Sequence, residues 1–312
     1  MKKLKVVITG GAGFIGSHIV EYWVNNGAEV CVIDNLRSGF LSNIEKFPDV
    51  KFYNGSVTDK ELVLDVLKNT DYVHHLAALV SVPESIEKPY ECIEINIIGL
   101  INVLEAAKFH KVKKVVFSSS AAVYGDNKEL PKTIKTIPDP KSPYGITKLD
   151  GEYYLKMYND EYGLGTVSLR YFNVFGPRQN PKSQYAAAIP IFINKALKNE
   201  PIIIYGDGTQ TRDFIYVKDV VLANVLAATS NINGVFNVAL GKSISINEIA
   251  KEIIKLTNSQ SKIIYEKERK GDIKYSQASI KETVEQLNFI PQYTLQQGLE
   301  ETIKYFKDNS IK

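Results

Sequence analysis

Val6-Val7-Ile8-Thr9-Gly10-Gly11-Ala12-Gly13-Phe14-Ile15-Gly16 reads as a buried apolar strand that runs into a glycine-rich turn and then into a helix. Gly10, Gly13 and Gly16 recur every third residue. That spacing permits a tight turn, lets the backbone approach a pyrophosphate, and lets the helix pack closely on the strand. The unpaired N–H groups and positive dipole end of the helix then face phosphate oxygens. A second apolar strand, Glu29-Val30-Cys31-Val32-Ile33, closes on Asp34, 18 residues after Gly16. A carboxylate at that point accepts hydrogen bonds from an adenosine ribose and repels a 2′-phosphate, which favours NAD over NADP.

The chain has 312 residues, enough for one large α/β domain with a smaller lobe beside it. Its hydrophobic content of 44% and charged content of 23% are those of a soluble globular protein. Net charge is only +3, and the lysines are scattered rather than gathered in runs, so no nucleic-acid or acidic-membrane partner is expected. Cys31 sits in a strand and Cys92 in a helical pattern, as buried free thiols rather than a disulfide. No apolar run is long enough to span a bilayer, and the first strand begins too early to leave room for a signal peptide. The expectation is a cytoplasmic protein that holds no metal.

Strands alternate with helical patterns through the first half, the signature of βαβ units and a parallel sheet. A helix from about Gly16 to Asn26 is followed, after the second strand, by a polar loop from Asn35 to Phe47. Val50–Asn54 and Asp71–Leu76 read as strands with a helix between them that ends near Lys68, and Ala77 to Ser85 reads as a loop. Tyr90 to Lys108 is a helical pattern with Ile93, Ile95, Ile97, Ile98, Leu100, Ile101, Val103 and Leu104, apolar on more than one face. Lys114–Ser118 is a strand, and Tyr144 to Tyr162 is a helix whose outward stripe contains Tyr153, Tyr154, Met157 and Tyr158. Two doubly apolar helices predict a homodimer through a four-helix interface. After the strand Thr166–Tyr171 the composition changes, which sets a main domain at 1–172 against a lobe at 173–212 and 241–312. Residues from about 213 to 240 return to the main sheet, with a strand at Val235–Ala239. Ser245 with Glu248, Ser279 with Glu282, and Thr294 with Gln297 read as capping boxes.

Tyr144 and Lys148 form Y-x-x-x-K, which places both side chains on one face of a helix. Tyr124 and Lys128 have the same spacing, but Gly125-Asp126-Asn127 between them is a turn. A phenol serving as base near neutrality needs its pKa of about 10 lowered by roughly three units, or about 4 kcal/mol. An ammonium at about 4 Å supplies that order of energy at an effective dielectric near 20. Ser118-Ser119-Ser120 ends a strand where ligands of such sheets bind, so a hydroxyl there can bridge substrate and Tyr144. A plain serine-rich turn is the equal alternative at this point.

Taken in order, these motifs resemble the extended short-chain dehydrogenase/reductase family. Thr9 to Gly16, Asp34, His75-Leu76-Ala77-Ala78, the triple serine and the Tyr144/Lys148 pair match. So do Arg170-Tyr171-Phe172-Asn173-Val174-Phe175-Gly176-Pro177 and Gly206-Asp207-Gly208-Thr209-Gln210-Thr211-Arg212-Asp213-Phe214. Within the family the chain is most similar to NAD-dependent nucleotide-sugar 4-epimerases of the UDP-glucose and UDP-N-acetylglucosamine type. The resemblance implies a Rossmann-type doubly wound parallel sheet with a smaller C-terminal α/β substrate-binding lobe. It implies tightly held NAD, with Ser120, Tyr144 and Lys148 as the catalytic triad. Dinucleotide contacts are implied for Gly10, Gly13, Phe14, Ile15, Gly16, Asp34, Asn35, Ser38 and Gly39. Further ones are implied for Ser56, Val57, Leu76, Ala77, Ala78, Asn96 and Tyr171, besides Tyr144 and Lys148. UDP-sugar contacts are implied for Ser81, Ser120, Tyr144, Asn173, Arg212, Arg269 and Asp272. Ser56 stands where the family usually has Asp for the adenine, and Val80 where some UDP-glucose epimerases have Lys.

Relatives that eliminate water carry an Asp-Glu pair after the catalytic hydroxyl residue, and decarboxylating relatives carry a Glu nearby. Here those positions are Ala121 and Ala122, so no acid stands there to protonate a leaving hydroxyl. The resemblance then implies oxidation and reduction at C4 of a UDP-hexose through a 4-keto sugar. Counting four past Asp272 puts Ser276 at the residue that gates sugar size, with Tyr275 the alternative after a one-residue shift. A small gate admits UDP-N-acetylglucosamine and UDP-N-acetylgalactosamine as well as UDP-glucose and UDP-galactose. The alternatives are a UDP-glucuronate 4-epimerase, another nucleotide-sugar oxidoreductase of the family, or a non-catalytic dinucleotide sensor.

Overall fold

Aliphatic and β-branched runs form the strands of one seven-stranded sheet, and the segments between them cross over as helices. The computed structural model describes residues 3–181, 187–268 and 274–309. The first part runs β1 (Lys5–Thr9), α1 (Phe14–Asn25), β2 (Glu29–Asp34), β3 (Lys51–Asn54), α2 (Lys60–Val66), β4 (Tyr72–His75), α3 (Val82–Glu87) and α4 (Pro89–Ile93). It continues through α5 (Gly99–Phe109), β5 (Lys114–Ser120), α6 (Pro143–Tyr162) and β6 (Thr166–Tyr171). Then come β7 (Asn173–Phe175), α7 (Ala188–Leu197), β8 (Ile202–Tyr205), β9 (Thr211–Tyr216), α8 (Val217–Thr229) and β10 (Gly234–Val238). The last elements are β11 (Ser243–Ser245), α9 (Ile246–Thr257), β12 (Ile263–Glu266), α10 (Lys281–Leu287) and α11 (Leu295–Asn309).

The main sheet has the order β3-β2-β1-β4-β5-β6-β10, with every pairing parallel. Strand order reverses between β1 and β4, which opens a crevice at the carboxyl ends of those strands. Both faces are covered, as near-continuous apolar strands require. Val6 and Ile8 of β1 face Ile19, Val20 and Trp23 of α1, and the same core takes Val220 and Ala223 of α8. Val7, between them in β1, points to the opposite face with Val63, Leu100, Val103 and Leu155 of α2, α5 and α6. A second lobe holds the sheet β11-β9-β7 and the pair β12-β8. Its core joins Phe175, Phe192, Ile193, Phe214, Ile249, Ile253 and Leu299.

Four local expectations change. Residues 77–85 are not all loop, because Ser81 caps α3, its hydroxyl accepting from Glu84 N at 3.2 Å. The helical stretch after Tyr90 is broken by a π-turn at Glu94–Ile98. The return to the main sheet starts later than residue 213, since Thr211–Tyr216 pairs with β7 and β11 in the small sheet and it is α8 and then β10 that go back. Ser279 and Glu282 form no capping box: Ile280 is the cap of α10, and Ser279 Oγ accepts from Lys281 N at 3.4 Å rather than from Glu282 N. The other two boxes form, Ser245 with Glu248 and Thr294 with Gln297 each exchanging bonds in both directions. Cys31 and Cys92 are buried free thiols, as expected. Among the described residues no helix is long and apolar enough to cross a membrane, and no cluster could hold a metal ion.

Candidate active site

The crevice at the strand-order reversal is a cavity of about 700 Å³. At one end lies the glycine turn. Gly10 has φ +70, and a Cβ on Gly16 would stand 2.2 Å from Gly10 O, so α1 starts directly beneath the turn. Gly13 caps α1 without any side chain taking up the amides of its first turn. Those amides and the helix dipole form an anion seat with no residue of its own to fill it. The floor is held by Thr9, whose hydroxyl accepts from Ala77 N at 3.2 Å and lies 2.8 Å from His75 Nδ1.

Beyond the turn the cavity is lined by Asp34, Asn35, Ser38, Gly39, Ser56 and Val57. Asp34 Oδ2 accepts from Ala12 N at 2.9 Å and Oδ1 from Leu36 N at 2.8 Å. Each oxygen keeps a lone pair for a further donor, as two ribose hydroxyls would need. Burial pushes the Asp34 carboxyl up, and the two amides pull it back. Ser56 Oγ accepts from Thr58 N and Thr58 Oγ1, and Asn102 Nδ2 holds the carbonyls of Val57 and Thr58. That turn presents a serine hydroxyl in the cavity.

Ser120, Tyr144 and Lys148 line the same cavity, together with Leu76, Ala77, Ala78 and Tyr171. Ser142 caps α6 through Gly145 N, and Tyr144 N donates to Ser85 Oγ of α3 at 3.2 Å, so the start of α6 is docked from two sides. Ser120 ends β5, its Oγ accepting from Ala122 N at 3.1 Å. Burial pushes the Tyr144 phenol up, and a hydrogen bond with Ser120 holds it down. Lys148 Nζ stands 4.7 Å from the Phe117 ring centroid and 5.7 Å from that of Tyr144. Its own pKa is lowered by burial to about 7.

Several expected residues stand outside this wall. Asn96 does not line the cavity. Its amide is spent on Leu79 N and O and on Thr147 Oγ1, so it fixes the loop behind the floor, and Ile95 faces the cavity instead. Ser81 caps α3. Asn173 is exposed at the start of β7, and Arg212 is half-buried on β9 with Nη1 on Thr211 O. Arg269 and Asp272 lie outside the described residues. The cavity wall also includes Val80, noted in the sequence as a departure from the family, Phe172 and Val174 of the quoted motif, and Arg37, Phe40, Gln179, Asn180 and Ala187, which the sequence pattern did not single out. Gln179 Nε2 donates to Val174 O, while its Oε1 is buried with no partner. A buried acceptor on a cavity wall is met by a ligand donor or a water.

Residues 6–239 match the sequence pattern of the NAD dependent epimerase/dehydratase family. The chain belongs to this family. A putative UDP-glucose 4-epimerase of Methanocaldococcus jannaschii is 41% identical over 307 residues, 98% of this chain and 99% of that one. The UDP-N-acetylglucosamine 4-epimerase of Methanobrevibacter ruminantium M1, solved in complex with UDP-N-acetylmuramic acid, is 44% identical. It superposes with a TM-score of 0.94 over 99% of each chain. The UDP-glucose 4-epimerase of Thermotoga maritima, solved with UDP-glucose, has a TM-score of 0.95 at 39% identity, over 99% of this chain and 100% of that one. NAD, the cofactor of the family, fits what the residues present. The bare amides of α1 suit a pyrophosphate, Asp34 suits an adenosine ribose, and Lys148 and Tyr144 stand at the far end for the nicotinamide half.

Proposed function

We propose that this family member interconverts UDP-N-acetylglucosamine and UDP-N-acetylgalactosamine at C4, and that UDP-glucose and UDP-galactose are additional substrates. The observation that carries the reading is the convergence of Ser120, Tyr144 and Lys148 on one cavity whose neighbouring positions, Ala121 and Ala122, supply no acid. Without an acid to protonate a leaving hydroxyl, elimination is disfavoured and redox at one carbon remains. Bound NAD supplies the hydride acceptor and donor together with a positive ring, whose charge lowers a phenol pKa that burial alone raises. Tyr144 as phenolate takes the proton of the sugar 4-hydroxyl, and later returns it to the 4-keto oxygen. Ser120 has a proton left after accepting from Ala122 N, and donates it to the oxygen at C4 or to Tyr144. Lys148 holds the nicotinamide ribose.

Sugar choice rests on Ser276. Thr211 N donates to Lys274 O and Ser276 N to Thr211 O, so Tyr275 lies opposite Thr211. Neighbours in an extended stretch point to opposite sides, and Tyr275 is the more exposed, at 49%. This supports the small Ser276, rather than Tyr275, as the residue facing the sugar, which leaves volume for a 2-acetamido group. UDP-glucuronate is the weaker reading because no cation dedicated to a sugar carboxylate is legible in the sequence. Incubation with a panel of UDP-sugars and no added NAD, followed by separation of the epimers, tests the proposal. Conversion of the acetylated pair is expected, and its absence refutes the reading. The cytoplasm is the proposed compartment and a homodimer the proposed assembly.

A further inference from the structure

Tyr144, Lys148 and Glu152 stand four residues apart on α6, so all three project from one helical face toward β5. Glu152 is not among the residues that line the site cavity, is 5% exposed, and has both carboxylate oxygens engaged by other elements. Its Oε1 accepts from Ser119 Oγ of β5 at 2.5 Å and from Arg170 Nε of β6 at 2.8 Å, and its Oε2 from Arg170 Nη2 at 2.6 Å. Arg170 Nη1 donates to Tyr124 OH at 2.9 Å, and Tyr124 OH donates to Asn237 Oδ1 of β10 at 2.6 Å. Asn237 Nδ2 in turn donates to Lys132 O and Ser279 O. One buried chain of hydrogen bonds thus runs from the residue before Ser120 to the stretch that follows Ser276.

Stability does not account for this arrangement, because a buried ion pair is often replaced by apolar side chains at no net loss. What the pair does provide is direction. The fork of Arg170 and the carboxylate of Glu152 meet in one geometry, and Ser119 ties that geometry to β5. Beside it, Gly151 lets α6 lie against the strand, since a Cβ there would stand 2.5 Å from Phe117 Cζ. We propose that Glu152, through Ser119 and Arg170, is a positioning residue that keeps the Tyr144–Lys148 face of α6 in register with Ser120. The inference rests on the assignment of those three residues as the reacting set.

Two variants test it on the NAD-loaded protein with UDP-N-acetylglucosamine and UDP-glucose as substrates. Ser119→Ala removes the tie to β5 and leaves the ion pair whole. Glu152→Met combined with Arg170→Met removes both charges, so neither is left buried alone. Displacement of a reacting group by about 1 Å costs on the order of 100-fold in rate, so kcat falls roughly tenfold in the first variant and roughly 100-fold in the second. KM, bound NAD and melting temperature stay near wild type, and the pH–rate profile moves to higher pH because the Ser120 bond that holds Tyr144 down is loosened. Wild-type kcat and pH profile in the double variant overturn the proposal, as does a kcat that falls only in step with the folded, NAD-loaded fraction. If the double variant does not fold, Ser119→Ala decides by the same criteria. Tyr144→Phe separates the two layers. An inactive Tyr144→Phe beside a fully active double variant overturns the positioning role alone, whereas an active Tyr144→Phe overturns the reacting set and this inference with it.

Discussion

Lys148→Met is expected to move stability and turnover in opposite directions. Lys148 is 3% exposed, no carboxylate among the described residues forms an ion pair with it, and burial lowers its pKa from 10.5 to about 7. At about 1.4 kcal/mol for each pKa unit, that fall corresponds to about 5 kcal/mol in favour of the neutral amine. Between about pH 7 and pH 10.5 the unfolded chain binds the proton that the folded chain has released, so stability rises with pH across that window. The cost of burying this lysine is therefore full below about pH 7 and gone above 10.5. Methionine has similar length, no charge, and a sulfur that packs well on the Phe117 ring. In protein freed of dinucleotide, Lys148→Met should raise the melting temperature at pH 6 by roughly 5–10 °C, and the gap should shrink toward pH 10. Epimerisation should fall by orders of magnitude in the same protein, because the ribose and Tyr144 lose their lysine. Thermal melts at pH 6 and pH 9.5, beside turnover of UDP-sugars, check both halves. A variant that melts at or below wild type at pH 6, or by the same margin at both pH values, refutes the account of Lys148 as a desolvated charge.

Tyr144→Phe keeps the ring, so NAD should remain bound, by absorbance of the purified protein, while turnover drops by orders of magnitude. Tyr124→Phe removes one hydroxyl from a buried network and should cost far less, under about tenfold in kcat. Ser276→Tyr should sharply reduce turnover of the N-acetylated pair and spare UDP-glucose and UDP-galactose; unchanged ratios would move the gate elsewhere. Tyr90, Ile93, Ile98, Tyr153 and Met157 are exposed along α4 to α6, a larger apolar stripe than scattered surface residues make. Light scattering at micromolar concentration should therefore give a dimer, and a monomer would refute that use of the stripe.

The parts legible in the sequence are those whose cause is local. β1 and β2 are apolar runs that need burial on both faces, and the spacing of Gly10, Gly13 and Gly16 has a steric reason visible in the 2.2 Å approach to Gly10 O. Y-x-x-x-K on α6 is likewise a statement about one helix. Less legible were short elements. The six residues of α3 are too few for a periodic signal, although Ser81 caps them and Pro83 stands in the first turn. The Ser279/Glu282 spacing matched a capping box, but the chain enters α10 only at Lys281, with Ile280 at the cap. Least legible were residues whose partners come from distant elements. Asn96 reaches back to Leu79, and Glu152 reaches Ser119 and Arg170, contacts that no spacing along the chain encodes.

Arg37 shows how such distant contacts bear on chemistry. A cation just after the second strand would by itself argue for a 2′-phosphate at the adenosine end, against the reading that Asp34 favours NAD. Arg37 does line the cavity, yet its guanidinium is taken by two carboxylates: Nη2 lies 2.7 Å from Glu84 Oε1 of α3, and Nη1 is bonded to Glu91 of α4. Two acids around one guanidinium leave no excess positive charge there for a phosphate. Asp34, held by the amides of Ala12 and Leu36, cannot swing aside without stranding both. A 2′-phosphate would thus meet a fixed carboxylate and a neutralised arginine. The preference for NAD that Asp34 signals is reinforced by α3 and α4, the two elements that carry the counter-charges.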